Sequence, residues 1–377
     1  MTLQHGKTQA RTAILVGGST TRIWGMSAAE RLRRQLKRAG VTDVRDTAEG
    51  LAGDEGVLLL RLDWAFEQRL VDALATRAGV ALMAGDQPTA AHVAARDAAE
   101  AAAALAASGV PAGVERLDPE GLAGSYNFEL RKREVAYVIP LDDRSAVEVE
   151  ARSFAGSYKG VTDLVTKYVW PRPARIVTKW CAEHGVTPNQ VTYVGLVLVF
   201  VAFGLFWTGH YLTGLIAAWI MTFLDTVDGK LARVTMTSSK FGNVLDHGID
   251  LVHPPFWWWA WIVGLPAAGL PVEHASLMIW IIFGGYIVQR IEEGIFVRAF
   301  GMHMHVWRPF DSFFRLITAR RNPNLIILTL FALAGRPDVG MIVVCAWIVI
   351  CLVVHLAQVV QAFVVSRRAP ITSWLEA

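Results

Sequence analysis

Hydrophobic positions follow two regimes along the chain. From residue 12 to about 150, short apolar runs alternate with segments of helical pattern. Thr12–Gly17 (TAILVG), Gly56–Leu62 (GVLLLRL) and Val80–Met83 read as strands, while Ser27–Ala39, with its basic face ERLRRQLKRA, and Phe66–Ala75 read as helices. The alanine-rich stretch Ala90–Ala107 reads as a third helix by propensity. Strands alternating with helices predict an α/β domain with a mainly parallel sheet over residues 1–150. Beyond about residue 189 the chain becomes mostly apolar and predicts an α-helical integral-membrane domain over residues 189–377. Its six transmembrane helices fall at about 190–208, 211–233, 239–264, 275–299, 322–336 and 339–366, the fifth being short.

Residues 151–188 form a lead-in of a third kind. Lys159, Lys167, Arg172, Arg175 and Lys179 are interleaved with Leu164, Val165, Tyr168, Val169, Trp170 and Trp180 at helical spacing. Apolar and basic positions with tryptophans describe an amphipathic helix in the membrane interface. Thr187-Pro188-Asn189 then supplies a cap-like entry to the first span. Loops on one side of the membrane hold only Arg336, whereas the other side holds Lys230, Arg233, Lys240, Arg298, Arg308, Arg315, Arg320, Arg321, Arg367 and Arg368. The positive-inside rule therefore places both termini in the cytoplasm of a multi-pass protein of the inner or cytoplasmic membrane. The run RTAILVGGS is too short for a signal-peptide core, so the first domain is expected to stay cytoplasmic.

Composition narrows the function classes. A net charge of +3 and the lack of a basic run with interleaved aromatics argue against nucleic-acid binding. Cys181, Cys345 and Cys351 make neither a disulfide framework nor a zinc pattern and read as small buried apolar side chains.

The candidate chemistry lies in residues 225–250, DTVDGKLARVTMTSSKFGNVLDHGID. Asp225 and Asp228 are spaced i, i+3, and Asp246 and Asp250 are spaced i, i+4, so each pair projects from one helix face. Two such faces meeting make an oxygen-only cage that suits a hard cation, Mg²⁺ or Mn²⁺. Gly229, Ala232 and Gly242 remove side-chain bulk where a backbone or a large ligand must approach. Between the fourth and fifth spans, His303, His305, Arg308, Asp311, Arg315, Arg320 and Arg321 make either a loop held to headgroups or one wall of an anion pocket. Arg290, Arg298, Arg308 and Arg315 are the candidates for binding an anionic acceptor. Arg290 and Glu293 are also spaced to pair. A cation transporter or channel built on the same carboxylates is the competing reading. All four Asp lying toward one membrane face, with no polar path in the last two spans, weighs against it.

Written out, Asp225-x2-Asp228-Gly229-x2-Ala232-Arg233-x8-Gly242-x3-Asp246-x3-Asp250 resembles, at every fixed position, the signature of the CDP-alcohol phosphotransferase (CDP-alcohol phosphatidyltransferase) family over about residues 160–366. The resemblance implies transfer of a substituted phosphate from a CDP-alcohol, either CDP-diacylglycerol or a soluble CDP-polyol, to an alcohol hydroxyl, with release of CMP. It implies that Asp225, Asp228 and Asp246 hold two metal ions, with Asp250 as a further ligand or the general base. Gly229, Ala232, Arg233 and Gly242 would accommodate the CDP donor. The partners it implies are that donor, an alcohol or phosphorylated polyol such as inositol or glycerol phosphate, and membrane lipid; a homodimer through the membrane domain is a further expectation. The first domain is similar to a sugar-nucleotide cytidylyltransferase, a nucleotidyltransferase-like fold, with Arg22 and Asp63 in corresponding places. It lacks the second loop glycine and the lysine expected near Ser27–Arg31, which makes it a degenerate copy. The fused layout resembles archaeal enzymes that make di-inositol phosphate phosphate.

Overall fold

The computed structural model describes residues 9–127, 130, 132–238 and 240–376. The side chain of Lys240, counted above among the cytoplasmic-side cations, lies outside the described part. The chain divides into two compact units: residues up to 127 with 133–157 and 234–236, and residues 128–132, 158–233 and 237–377.

In the first unit, strands β1 (Thr12–Val16), β2 (Asp43–Arg45), β3 (Gly56–Arg61), β4 (Val80–Ala84), β5 (Gln87–Ala94) and β6 (Glu115–Leu117) form one sheet in the order β2-β1-β3-β5-β4-β6. Pairs β1–β2, β1–β3 and β4–β6 are parallel, while β5 runs antiparallel to both its neighbours, so the sheet is mixed. Helices α1 (Ala28–Arg38), α2 (Gln68–Thr76), α3 (Ala98–Ala106), α4 (Pro119–Ala123) and α5 (Ala146–Gly156) complete the unit. Helix α1 starts where Ser27 predicts, its hydroxyl accepting from the Glu30 amide at 3.2 Å.

The helix expected over Ala90–Ala107 is corrected: its first five residues belong to β5, and the helix covers only Ala98–Ala106. Ala90 and Ala91 are fully buried between β3 and β4. In that position ladder hydrogen bonds and burial outweigh a propensity of a few tenths of a kcal/mol per residue.

His92, also fully buried on β5, sets its Nδ1 2.7 Å from the Leu74 carbonyl oxygen. Gly56 leaves it room, since a Cβ there would fall 2.2 Å from Nε2. Burial holds the imidazole below its ordinary value. The unfolded chain takes up this proton near pH 6.5 and the native unit resists it. The stability contribution is therefore complete above that pH and is lost as pH falls toward the depressed native value. Hydrogen exchange of the β5 amides in the full-length protein should accelerate between about pH 7 and pH 5, beyond the intrinsic chemistry, and His92→Gln should flatten that dependence.

The second unit is helical. After a short π-helical turn at Val165–Val169 come α6 (Pro171–Glu183), α7 (Pro188–Trp207), α8 (Tyr211–Val234), α9 (Lys240–Gly264), α10 (Ala275–Phe300), α11 (Pro309–Phe314), α12 (Arg321–Leu333) and α13 (Pro337–Ser366). A capping box opens α7: the Thr187 amide donates to Gln190 Oε1 at 2.8 Å, and the Gln190 amide donates to Thr187 Oγ1 at 3.3 Å.

Among the described residues four helices, α7, α8, α10 and α13, are long and apolar enough to cross a membrane. Two of the six expected spans do not meet that standard. Helix α12 has 13 residues, about 20 Å of rise against a hydrocarbon core of about 30 Å. Helix α9 has 25 residues, but its apolar half is made largely of tryptophan and proline and its other half carries the carboxylates. Pro254 and Pro255 lie inside it, and neither can donate to the carbonyl four residues back. The Tyr286 hydroxyl of α10 donates to one of these orphaned carbonyls, that of Leu251, at 2.8 Å.

Three of the four tryptophans of α9 are core residues. Trp257, Trp258 and Trp261 are buried with Phe206, Tyr211 and Met221 in the main cluster. Two of these indole N–H groups have backbone partners, Trp257 donating to the Val199 carbonyl at 2.9 Å and Trp261 to that of Pro337 at 3.1 Å. Trp170, expected at headgroup level, packs edge-on to Phe223 and Trp219 of α8 at centroid distances of 5.2 and 6.1 Å. Trp180 on α6 stays exposed, as does Ile176.

Candidate active site

Helices α8 and α9 bring the four aspartates together. Asp225, Asp228 and Asp246 each offer a carboxylate oxygen within 4.8 Å of the others. Asp228 is the most enclosed: its Oδ2 accepts from the Thr192 hydroxyl of α7 at 2.5 Å, and its Oδ1 is buried without a hydrogen-bond partner. A buried carboxylate oxygen left unpaired is costly. Three clustered carboxylates with one such orphaned oxygen, and no sulfur or imidazole among them, fit a hard divalent cation.

Asp250 has a different partner. Arg321, at the start of α12, forks between two helices: its Nη2 donates to Asp225 Oδ2 at 2.5 Å and its Nη1 donates to Asp250 Oδ1. Beside the cluster opens a cavity of about 270 Å³. Asp225, Asp246, Asp250 and Gly229 line it, together with Lys159, Lys230, Arg233, Arg315, Arg320 and Arg321. Basic groups therefore face the acidic cluster across a space open to solvent. A Cβ built on Gly229 would meet nothing closer than Arg233 Nη1 at 3.6 Å, so the glycine leaves its share of the cavity free for a ligand.

The lead-in supplies part of the wall. Asp163 is buried and accepts from the Thr166 amide and the Asn322 side-chain amide, each at 3.0 Å. Burial alone would raise its carboxyl, but the charge of Arg315 and these hydrogen bonds hold it below the usual carboxylate range. The Leu164 amide donates to the Leu316 carbonyl at 3.0 Å, tying the same turn to the segment before α12. Lys230 is buried with its ammonium 3.4 Å from the centroid of the Tyr158 ring.

Of the arginines proposed for an acceptor, Arg315 lines the cavity. Arg308 binds Asp311 through its backbone amide, Nε and Nη2, each at 3.0 Å, and donates to Gln361 at 2.8 Å. Arg290 lies 3.4 Å from both Glu293 Oε2 and the Tyr286 hydroxyl. Arg298 is in the last turn of α10 and does not line the cavity. Glu293 is a shared acceptor, pairing with Arg290, with His305 at 3.3 Å and with Arg320, which lines the cavity.

Sequence reasoning left Thr192, Asp163 and Asn322 out of the site. Arg320 and Arg321 were visible as positive-inside charge or as part of an anion-pocket wall, and both line the cavity. The one further signal was the polar string Arg-Arg-Asn-Pro-Asn at 320–324, which opens an apolar helix with more polar groups than an interface anchor requires.

A membrane-type helical unit with a carboxylate cluster facing a basic cavity is the class of protein that these elements define. Residues 185–318 match the family model of the CDP-alcohol phosphatidyltransferases, so the stretch that carries the aspartates is a domain of that family. The archaetidylinositol phosphate synthase of Pyrococcus horikoshii is 40% identical over 80 residues, which cover 21% of this chain and 42% of the relative. The phosphatidylinositol phosphate synthase of Mycobacteroides abscessus is 34% identical over 114 residues, 29% of this chain and 51% of the relative. The enzyme of the same name from Corynebacterium glutamicum is 29% identical over 176 residues, 44% of this chain and 80% of the relative. The chain thus spans about half or less of the first two relatives.

Proposed function

We propose that this chain transfers a substituted phosphate from a CDP-alcohol to the hydroxyl of an alcohol acceptor and releases CMP, at the cytoplasmic face of the membrane. The observation that carries the reading is the convergence of Asp225, Asp228 and Asp246 within 4.8 Å beside a cavity lined by basic side chains. In this reading all six expected helices, including α9 and α12, belong to the membrane unit. Asp225, Asp228 and Asp246 would hold two Mg²⁺ or Mn²⁺ ions, with Asp250 as a further ligand or the base. Such ions supply neutralisation of the donor diphosphate and of the leaving phosphate.

The remaining roles fall to the chain's own groups. Asp250 takes the proton of the acceptor hydroxyl as its oxygen bonds to the β-phosphorus, and the bond from that phosphorus to the CMP oxygen breaks. Arg321 orients the Asp250 carboxylate through the bond to Oδ1. Gly229, Ala232 and Gly242 make room for the cytidine, while Arg233 helps hold the aspartate cluster or the diphosphate. Arg315 and Arg320, on the cavity wall, suit a phosphorylated acceptor. A cation channel is disfavoured by the family match and by this one-sided basic wall.

Arg315 and Arg308 separate the acceptor site from its supports. Arg315→Ala should raise the acceptor KM about tenfold or more while moving the donor KM little, as expected for loss of a charged phosphate contact. Arg308→Ala should chiefly lower thermal stability, by about 1–3 kcal/mol, because it strips a partner from the buried Asp311 while Arg308 itself is partly exposed. Steady-state kinetics with both substrates varied, alongside melting curves, checks the pair; equal effects of Arg315→Ala on both KM values would remove the acceptor assignment.

A further inference from the structure

Arg321 takes two of the four aspartates, Asp225 and Asp250, as direct partners. It reaches them from a third helix: Asp225 is on α8, Asp250 on α9 and Arg321 on α12. The contact is well enclosed, with 13% of the Arg321 side chain and 17% of that of Asp225 exposed. Two different guanidinium nitrogens serve two different carboxylates, a geometry that a rigid planar fork provides and an ammonium cannot. Asp225 is also one of the three residues whose oxygens converge within 4.8 Å. The guanidinium and a divalent cation therefore draw on the same carboxylate.

We propose that Arg321 is the resident counter-cation of the aspartate cluster: it ties α8 to α9 through Asp225 and Asp250 and competes with divalent metal, setting the metal affinity of the site below what the carboxylates alone would give. This rests on the metal-site reading above and adds to it a named competitor. A cation within about 4–6 Å changes a carboxylate's proton affinity by about ten- to a thousandfold, and a second metal cation feels the same field. A purely structural arginine leads to the opposite expectation, since removing it would loosen the cluster and weaken metal binding.

The test uses the full-length protein in detergent with Mn²⁺ alone as probe, free Mn²⁺ being counted by its EPR signal, without any substrate. Arg321→Gln should bind Mn²⁺ about tenfold or more tighter than the wild type while its metal-free form melts at lower temperature, so that added Mn²⁺ raises its melting point more than it raises that of the wild type. Should Arg321→Gln fail to fold, Arg321→Lys, which keeps the charge and loses the fork, should show a smaller gain in the same direction. Unchanged or weaker Mn²⁺ binding in the variant that folds, with normal binding by the wild type, overturns the proposal alone. Mn²⁺ uptake by neither protein overturns the metal-site reading and the proposal with it.

Discussion

Asp250→Asn is expected to fold and insert as the wild type does and to release CMP about a thousandfold more slowly, within the range that loss of a general base produces. The amide keeps the shape of the side chain and can still contact Arg321, so α9 and α12 lose little of their connection. What disappears is the lone pair basic enough to take the acceptor's proton. Asp225→Asn should fail by a different route, since it weakens one of the three converging carboxylates and the better enclosed half of the Arg321 fork. Raising Mn²⁺ should recover part of the activity of Asp225→Asn and none of that of a pure base variant. Size-exclusion profiles and labelled CMP release, measured on the same preparations, separate folding from chemistry. Turnover undiminished in both variants would end the assignment.

The largest expected loss of stability comes from a glycine far from the chemistry. Gly264 closes α9 against the end of α7, and a Cβ there would lie 2.0 Å from the Phe206 carbonyl oxygen and 2.9 Å from the Gly209 amide nitrogen. Both neighbours are backbone, which cannot rotate away as a side-chain tip would. The same corner holds the Tyr211 hydroxyl, which donates to the Trp261 carbonyl at 2.9 Å, and the fully buried Phe206. Gly264→Val should therefore force α7 and α9 apart and destabilise the helical unit by about 3 kcal/mol or more, at or beyond the upper end for overpacked cores. Thermal unfolding in detergent, with Gly284→Val on α10 as the control because nothing lies within 4 Å of a Cβ there, reads this directly. A melting point for Gly264→Val equal to that of the wild type would contradict the close approach.

What the chain reveals before folding divides along physical lines. The cap at Thr187, the start of α1 at Ser27 and the aspartate pairs are local, set by residues three or four positions apart, and each can be read directly. The antiparallel β5 could not be read, because Ala90 and Ala91 have helical propensity and adopt a strand only once β3 and β4 bury them from both sides. Hydropathy alone did not indicate that the prolines inside α9 would leave a carbonyl to be capped from α10. In the site, the carboxylates came from spacing, whereas Arg321 meets Asp225 across 96 residues and Asp250 across 71. The polar string at 320–324 is the one local mark of that arginine, and it does not name its partners. Asp163 and Thr192 are similar cases, polar residues whose partners lie 159 and 36 positions away.

Metal-dependent transfer from a CDP-linked donor is the role we propose for the aspartate cluster. Its most direct test is CMP release by purified full-length protein supplied with CDP-diacylglycerol or a CDP-polyol labelled in the cytidine, with and without Mg²⁺ or Mn²⁺ and with and without a polyol phosphate. The expected result is labelled CMP only when donor, divalent metal and acceptor are all present, in equal amount to the phosphodiester formed. Release of no CMP with any of these donors, together with metal flux into proteoliposomes that ignores them, would contradict it.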